Sequence, residues 1–382
     1  MSMPDPRVAV LTTPCLVLDE QKMMQNIDRL AAHTARLGVT LRPHLKTAKS
    51  VEVARRLLTG GNGPATVSTL AEAEVFAAAG IRDILYAVGI APQKLDRVLA
   101  LRRTGCDLSD ILDSVEQAQA VAAASHAAEQ PIPALIEIDS DGHRGGLHPD
   151  DPAIVTVGHI LQDGGAELRG VMTHAGESYG VTGNEAHAAF AEMERAAATA
   201  AAGALRTANL RCPVVSVGST PTAHAARDLT GVTEIRAGVY VFFDLVMAGI
   251  GVCRPEEIAL SVLTTVIGHQ TARGWVMIDA GWMALSRDRG TASQAVDQGY
   301  GVVCDEDGQI LSDLIVTQTN QEHGIVSRRS GSSATMPCLP LGTRLRILPN
   351  HACATAAQHS SYHVLPADQA TRLAKWPRIG GW

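Results

Sequence analysis

No apolar run in this 382-residue chain approaches the roughly 20 residues that span a bilayer, so a helical membrane protein is not expected. Basic runs are missing as well. The 32 Lys and Arg are scattered among 39 acidic residues for a net charge of -7, and no stretch follows the spacing of phosphates, so nucleic acid is not the expected partner. The seven cysteines are odd in number and show no repeated CxxC spacing, which argues against the disulfide framework of a secreted domain. Met1 to Val10 lacks a basic segment followed by an apolar stretch, so a cytoplasmic protein is expected. Internal repeats are absent. The alanine enrichment around 196–204 is a strong helix rather than low complexity.

What remains is the composition of a globular enzyme, with 46% hydrophobic and 19% charged residues. From Val39 onward, short apolar strands alternate with amphipathic helices. Strands are expected near 39–43, 64–67, 83–87, 108–112, 133–138, 168–173, 213–217 and 232–236. Helical spacing fills the intervals, as at Leu70 to Ala79, Pro92 to Arg103 and Glu185 to Asn209. This pattern predicts an α/β fold, a (β/α)8 TIM barrel over 19–253, with a doubly wound open sheet as the alternative. After Cys253, β-branched runs at 260–267, 275–278 and 344–348 recur without long helices between them. A β-rich domain over 254–382 is expected, joined by 1–18, whose strand Pro14 to Leu18 could pair with either unit.

Barrel enzymes assemble their sites from the loops that follow the strands. Lys46 follows the first strand, Arg144 the fifth, His174 the sixth, Gly218-Ser219-Thr220 the seventh and Gly238-Val239-Tyr240 the eighth. Glycines and hydroxyls after strands seven and eight suit a phosphate, and a lysine near the middle of the same rim suits a reactive amine. Taken singly, each is an ordinary turn or surface residue, and their shared rim is what points to a site. Farther on, His351 and Cys353 fall on alternate residues. On an extended segment they would share one face, and a thiolate with an imidazole favours zinc or another borderline divalent metal. His323 could complete such a shell, and His359 and His363 are nearby alternatives.

Thr13-Pro14-Cys15-Leu16-Val17-Leu18-Asp19, Arg42-Pro43-His44-Leu45-Lys46-Thr47, Val217-Gly218-Ser219-Thr220-Pro221-Thr222 and the His351-x-Cys353 pair occur in this order across the chain. Together they resemble the fold-type III pyridoxal phosphate enzymes of the D-threonine aldolase and D-serine dehydratase family. Asn320-Gln321-Glu322-His323-Gly324, the run Gly238 to Asp244 and Asp279-Ala280-Gly281-Trp282 extend the likeness within it. The resemblance implies an alanine-racemase-type barrel with a C-terminal β domain, arranged as a homodimer.

By the same resemblance, Lys46 would bind pyridoxal 5'-phosphate covalently and act as the catalytic base. Gly218, Ser219, Thr220, Gly238, Val239 and Tyr240 would hold the phosphate. Arg144 would lie near the phenolic oxygen, His174 near the pyridine ring, and Tyr179 would contact the cofactor. Met172 stands where D-serine dehydratases carry tyrosine. His351 and Cys353 would bind the divalent metal (Mn2+, Zn2+, Co2+ or Mg2+), with cysteine where the aldolase branch has aspartate. The implied reaction is loss of water from a D-configured 3-hydroxy amino acid. D-threo-3-hydroxyaspartate is the foremost substrate, giving oxaloacetate and ammonia, and its second carboxylate would want a cation such as Arg287 or Arg289. The alternatives are dehydration of D-serine, retro-aldol cleavage to glycine and an aldehyde, a non-catalytic cofactor carrier and a metal-free racemase.

Overall fold

The computed structural model describes residues 6–58, 60–368 and 372–382. The chain divides into two compact units, one formed by Asp28–Tyr240 with Ile379–Trp382, the other by Val241–Arg378 with the described residues up to Ile27.

The strands, numbered along the chain, begin with β1 (Cys15–Asp19). Eight follow in the first unit: β2 (Thr40–Pro43), β3 (Ala65–Val67), β4 (Asp83–Gly89), β5 (Asp107–Leu112), β6 (Pro133–Ile138), β7 (Glu167–Thr173), β8 (Val214–Val217) and β9 (Glu234–Ala237). They form one parallel sheet in the order β2-β9-β8-β7-β6-β5-β4-β3. The two ends meet through a single bridge from His44 to Thr66, which nearly closes the sheet into a barrel. A barrel rather than an open sheet is therefore what the eight expected strands build. Helices precede most strands, and hydroxyls that the sequence places at the start cap some of them. Thr69 accepts from the Glu72 N–H and Ser114 from that of Gln117.

Charge and apolar side chains are sorted along this barrel. Asp83, Asp107, Glu167 and Glu234 each open a strand. Two arginines tie them together: Arg42 pairs with Asp83 and Glu234 at 2.7 and 2.8 Å, and Arg169 with Asp107 and Glu167 at 2.9 and 3.1 Å. Above this ionic floor, Leu85, Ile111, Leu135 and Met172 from four successive strands form one buried cluster. Met172 thus serves as core where a tyrosine would be polar. The opposite, C-terminal end of the strands is left for the loops that carry the candidate residues.

Asp110 on β5 departs from this economy. It is fully buried, and neither carboxylate oxygen has a hydrogen-bond partner among the described residues. Burial pushes its carboxyl up to about 8, with Arg102 only partly opposing. The folded protein therefore holds this group protonated at neutral pH, while the unfolded chain ionises it near the ordinary carboxyl value of 3.8. Stability is unaffected by Asp110 below pH 4 and declines between pH 4 and 8 by on the order of 1 kcal/mol per pH unit. We expect Asp110→Val, which suits a strand, to flatten the fall in thermal midpoint between pH 5 and 8. Parallel melting profiles for parent and variant would contradict this.

The second unit holds the remaining strands: β10 (Leu260–Gln270), β11 (Trp275–Ile278), β12 (Val302–Cys304), β13 (Ile310–Thr319), β14 (Gly324–Arg328), β15 (Arg344–Leu348), β16 (Ser361–Leu365) and β17 (Ala374–Pro377). The order β11-β14-β13-β12-β15-β10, with β10 also pairing β11, makes a closed antiparallel ring. The opening strand settles here: β1 runs antiparallel to Leu260–Leu263 of β10 and parallel to β16. Among the described residues, no helix is long and apolar enough to cross a membrane.

Candidate active site

Lys46 lies just beyond β2, in a segment stitched to both neighbouring strands. The His44 N–H donates to the Ala237 carbonyl at 2.7 Å and the Leu45 N–H to that of Thr66 at 2.8 Å. Two imidazoles feel the Lys46 charge. Burial, then Lys46, Arg236 and His174, hold His44 well below the usual histidine range. Burial likewise pushes His174 down to about 3, with Lys46, Arg144 and Arg236 reinforcing it against the Gly218 carbonyl. Both rings are neutral at physiological pH. His174 Nδ1 donates to that carbonyl at 3.0 Å, which leaves Nε2 as an acceptor, and its ring lies 6.2 Å from Tyr179. Arg144 is exposed, 3.7 Å from Glu137.

At the end of β8 the chain turns sharply into the helix Thr220–Ala225. Gly218 adopts φ +129, where an added Cβ would sit 2.2 Å from the Arg236 carbonyl, so only glycine fits. Its N–H and that of Ser219 are already engaged, with Glu194 at 3.2 Å and the Thr222 hydroxyl at 2.9 Å. The donors left over come from Thr220. Its hydroxyl is buried without a partner among the described residues, and its N–H makes only a 3.5 Å contact to the Tyr179 oxygen. Gly238, in the turn after β9, keeps a second close approach open, because a Cβ there would lie 3.2 Å from the His44 carbonyl and the Thr47 hydroxyl. Val239 and Tyr240 continue that turn, and the buried Tyr240 hydroxyl also has no partner among the described residues. Two close backbone approaches beside orphaned hydroxyls fit a bound phosphate ester.

Glu194 was not foreseen. It sits on the helix Asn184–Thr207, 1% exposed, among the buried Ala191, Ala197 and Ala198. Its carboxylate accepts the Ala175 N–H at 2.6 Å as well as that of Gly218, joining the loops after β7 and β8. Burial pushes it up to about 7 against these donors and Arg236. An acidic residue within an alanine stripe at helical spacing was the available signal. Arg236 was also missed: it is 3% exposed and donates to Ser216 and the Thr173 carbonyl below the same loops.

In the other unit, His351 and Cys353 follow β15. The expected alternation on an extended segment does not occur: His351 is extended, but Cys353 lies in the first turn of the short helix Ala352–Ala356. The two side chains nevertheless come within hydrogen-bonding reach of each other. Burial disfavours the imidazolium, yet Asp288 and Cys353 outweigh it and push His351 up to about 11. His351 Nδ1 lies 2.8 Å from Asp288 Oδ2. Buried Asp244 caps the helix Leu245–Gly249 and accepts the Ala352 N–H at 2.9 Å, fixing the peptide between the pair.

Among the described residues no three His, Cys, Asp or Glu side chains cluster to hold a metal. His323, His359 and His363 therefore do not complete this pair, and His359 Nε2 is bonded to the Ala284 carbonyl at 3.0 Å. An imidazole with a thiol suits a divalent cation whose other positions stay open to water or substrate. The suggested carboxylate partners find other work: Arg289 pairs with Asp297 and lies over Tyr300, and Arg287 stacks 4.5 Å from the Trp282 ring centroid.

Residues 18–246 match the alanine racemase N-terminal domain and residues 259–365 the putative serine dehydratase domain. The chain is 56% identical to D-threo-3-hydroxyaspartate dehydratase of Delftia sp. strain HT23, over 97% of this chain and 98% of that protein. It is 29% identical to D-serine dehydratase of Dictyostelium discoideum, over 94% of each. Among solved structures, a C353A mutant of D-threo-3-hydroxyaspartate dehydratase in the metal-free form superposes with a TM-score of 0.95 at 54% identity, covering 98% of this chain and 99% of that one.

Proposed function

Because the chain belongs to the D-threonine aldolase and D-serine dehydratase family, built on an alanine racemase N-terminal domain, we propose that it is a pyridoxal phosphate- and metal-dependent dehydratase. Its substrate is D-threo-3-hydroxyaspartate, and its products are oxaloacetate and ammonia. The observation that carries this reading is the 56% identity to a dehydratase of that substrate over nearly the whole of both chains. The same reading takes the protein to be a cytoplasmic homodimer.

Lys46 would bind the cofactor, Thr220 and the turns at Gly218-Ser219 and Gly238-Val239-Tyr240 its phosphate, and His174, Tyr179 and Arg144 the ring. His351 and Cys353 would hold the metal, Mn2+ or Zn2+ among the candidates. When bound, pyridoxal phosphate supplies an electron sink for the electrons released at Cα, and the metal supplies Lewis acidity for departure of the β-hydroxyl. The Lys46 amine takes the α-proton. Neutral His174, donating through Nδ1 to Gly218, offers the ring an uncharged face. Glu194 holds the phosphate turn against the His174 loop.

Thr220→Val keeps the shape of the side chain and removes the orphaned hydroxyl. A hydrogen bond to a charged partner is worth about 1.5–3 kcal/mol, so we expect pyridoxal phosphate to bind the apoprotein about 10- to 100-fold more weakly in an absorbance titration. An unchanged dissociation constant would remove Thr220 from the site. The function itself is tested by the products: oxaloacetate and ammonia should appear in equal amounts from D-threo-3-hydroxyaspartate. D-Serine turning over faster, with pyruvate as product, would move the assignment to D-serine dehydratase.

A further inference from the structure

The segment Leu285 to Thr291 is laced to the loop carrying His351 and Cys353 by three rungs. Thr355 Oγ1 donates to the Leu285 carbonyl at 2.8 Å, His351 Nδ1 meets Asp288 Oδ2 at 2.8 Å, and Thr291 Oγ1 donates to Asn350 Oδ1 at 2.6 Å. The outer rungs are buried and fix the spacing of the two segments. Asp288 is itself held: its Oδ1 accepts the Gly290 N–H at 2.8 Å, and its own N–H donates to Ser286 Oγ at 3.1 Å. Neither neighbouring arginine competes for it, since Arg287 lies over Trp282 and Arg289 pairs with Asp297.

We infer that Asp288 is a positioning residue for the metal, fixing His351 in the tautomer and orientation that present Nε2 to a divalent cation. This rests on the metal reading above. The Asp288 carboxylate can only accept at this contact, so a proton stays on Nδ1, and Nε2 is the nitrogen that would give up its proton to a bound cation. Nδ1 and Nε2 lie on opposite sides of the ring, so Asp288 acts through His351 and is not itself a ligand. Outer carboxylates of this kind lock ring orientation and raise ligand basicity, at a cost of about 10- to 100-fold in affinity when removed.

The test uses pyridoxal phosphate-loaded enzyme stripped of metal and titrated with Mn2+ by calorimetry and with Co2+ by its thiolate absorption band, which reports Cys353 ligation independently of turnover. Asp288→Asn should weaken both metals about 10- to 100-fold while the Co2+ band at saturation persists. Asp288→Glu, which keeps the carboxylate, should bind more tightly than Asp288→Asn. It also serves if the asparagine variant does not fold. Parent-like affinity in Asp288→Asn, alongside loss of binding in His351→Ala, would overturn the inference and leave the metal reading standing. Loss of the Co2+ band in Asp288→Asn at saturating metal would also overturn it, because Asp288 would then be needed for ligation itself. Parent-like affinity in both His351→Ala and Cys353→Ala would overturn the metal reading and this inference with it.

Discussion

Lys46→Ala should purify without the visible absorbance of bound pyridoxal phosphate and turn over its substrate about four orders of magnitude more slowly, or worse. A positioned general base alone is worth about 10²–10⁴ in rate, and this substitution also removes the amine that attaches the cofactor. The fold gives reason to expect a specific rather than a general defect. Leu45 and Thr47 on either side are buried, and the segment is held by main-chain bonds to Ala237 and Thr66 that an alanine leaves intact. Lys46→Arg should not rescue, because a guanidinium keeps its proton at any working pH and cannot act as base or nucleophile. Absorbance spectra after gel filtration, read beside ammonia release, check both halves. A variant that keeps the absorbance and the rate would place the cofactor elsewhere.

The second large effect belongs to the metal pair. His351→Ala and Cys353→Ala should each lower turnover about 10²- to 10³-fold, the equivalent of the several kcal/mol that Lewis-acid assistance contributes to a departing oxygen. Cofactor absorbance should be unchanged, because neither side chain is among the residues proposed to hold pyridoxal phosphate. Cys353→Asp carries a finer expectation. A hard oxygen ligand in place of a thiolate should keep metal binding but shift preference from Zn2+ toward Mn2+ or Mg2+. Steady-state rates across a metal series, with residual metal set by chelation, decide these points. Full metal-dependent turnover in Cys353→Ala would sink the assignment of the thiol.

The barrel was legible because each strand is short, apolar and followed by helical spacing, so local pattern and long-range pairing agree. The β-rich unit was legible for the complementary reason, β-branched runs without helices between them. Loop residues such as Lys46 and His174 could be proposed because position after a strand implies a shared rim. The gaps have a common cause, since side-chain partners distant in sequence leave no local trace. Arg289 looked available to a substrate carboxylate, but the fold pairs it with Asp297 and lays it over Tyr300, while Arg287 lies over Trp282 with its N–H edge still open among the described residues. Asp288 is one charged residue among several in its loop, and only the fold reveals that His351 is its partner. The strand rule for His351 and Cys353 failed locally, because a helix begins between them, while the meeting it predicted does occur.

The most direct test is incubation of pyridoxal phosphate- and Mn2+-loaded enzyme with D-threo-3-hydroxyaspartate, measuring ammonia and glycine in the same sample with and without EDTA. Ammonia without glycine, abolished by the chelator and restored by added Mn2+, is the predicted result. Glycine with an aldehyde and no ammonia would contradict the account and make the enzyme an aldolase.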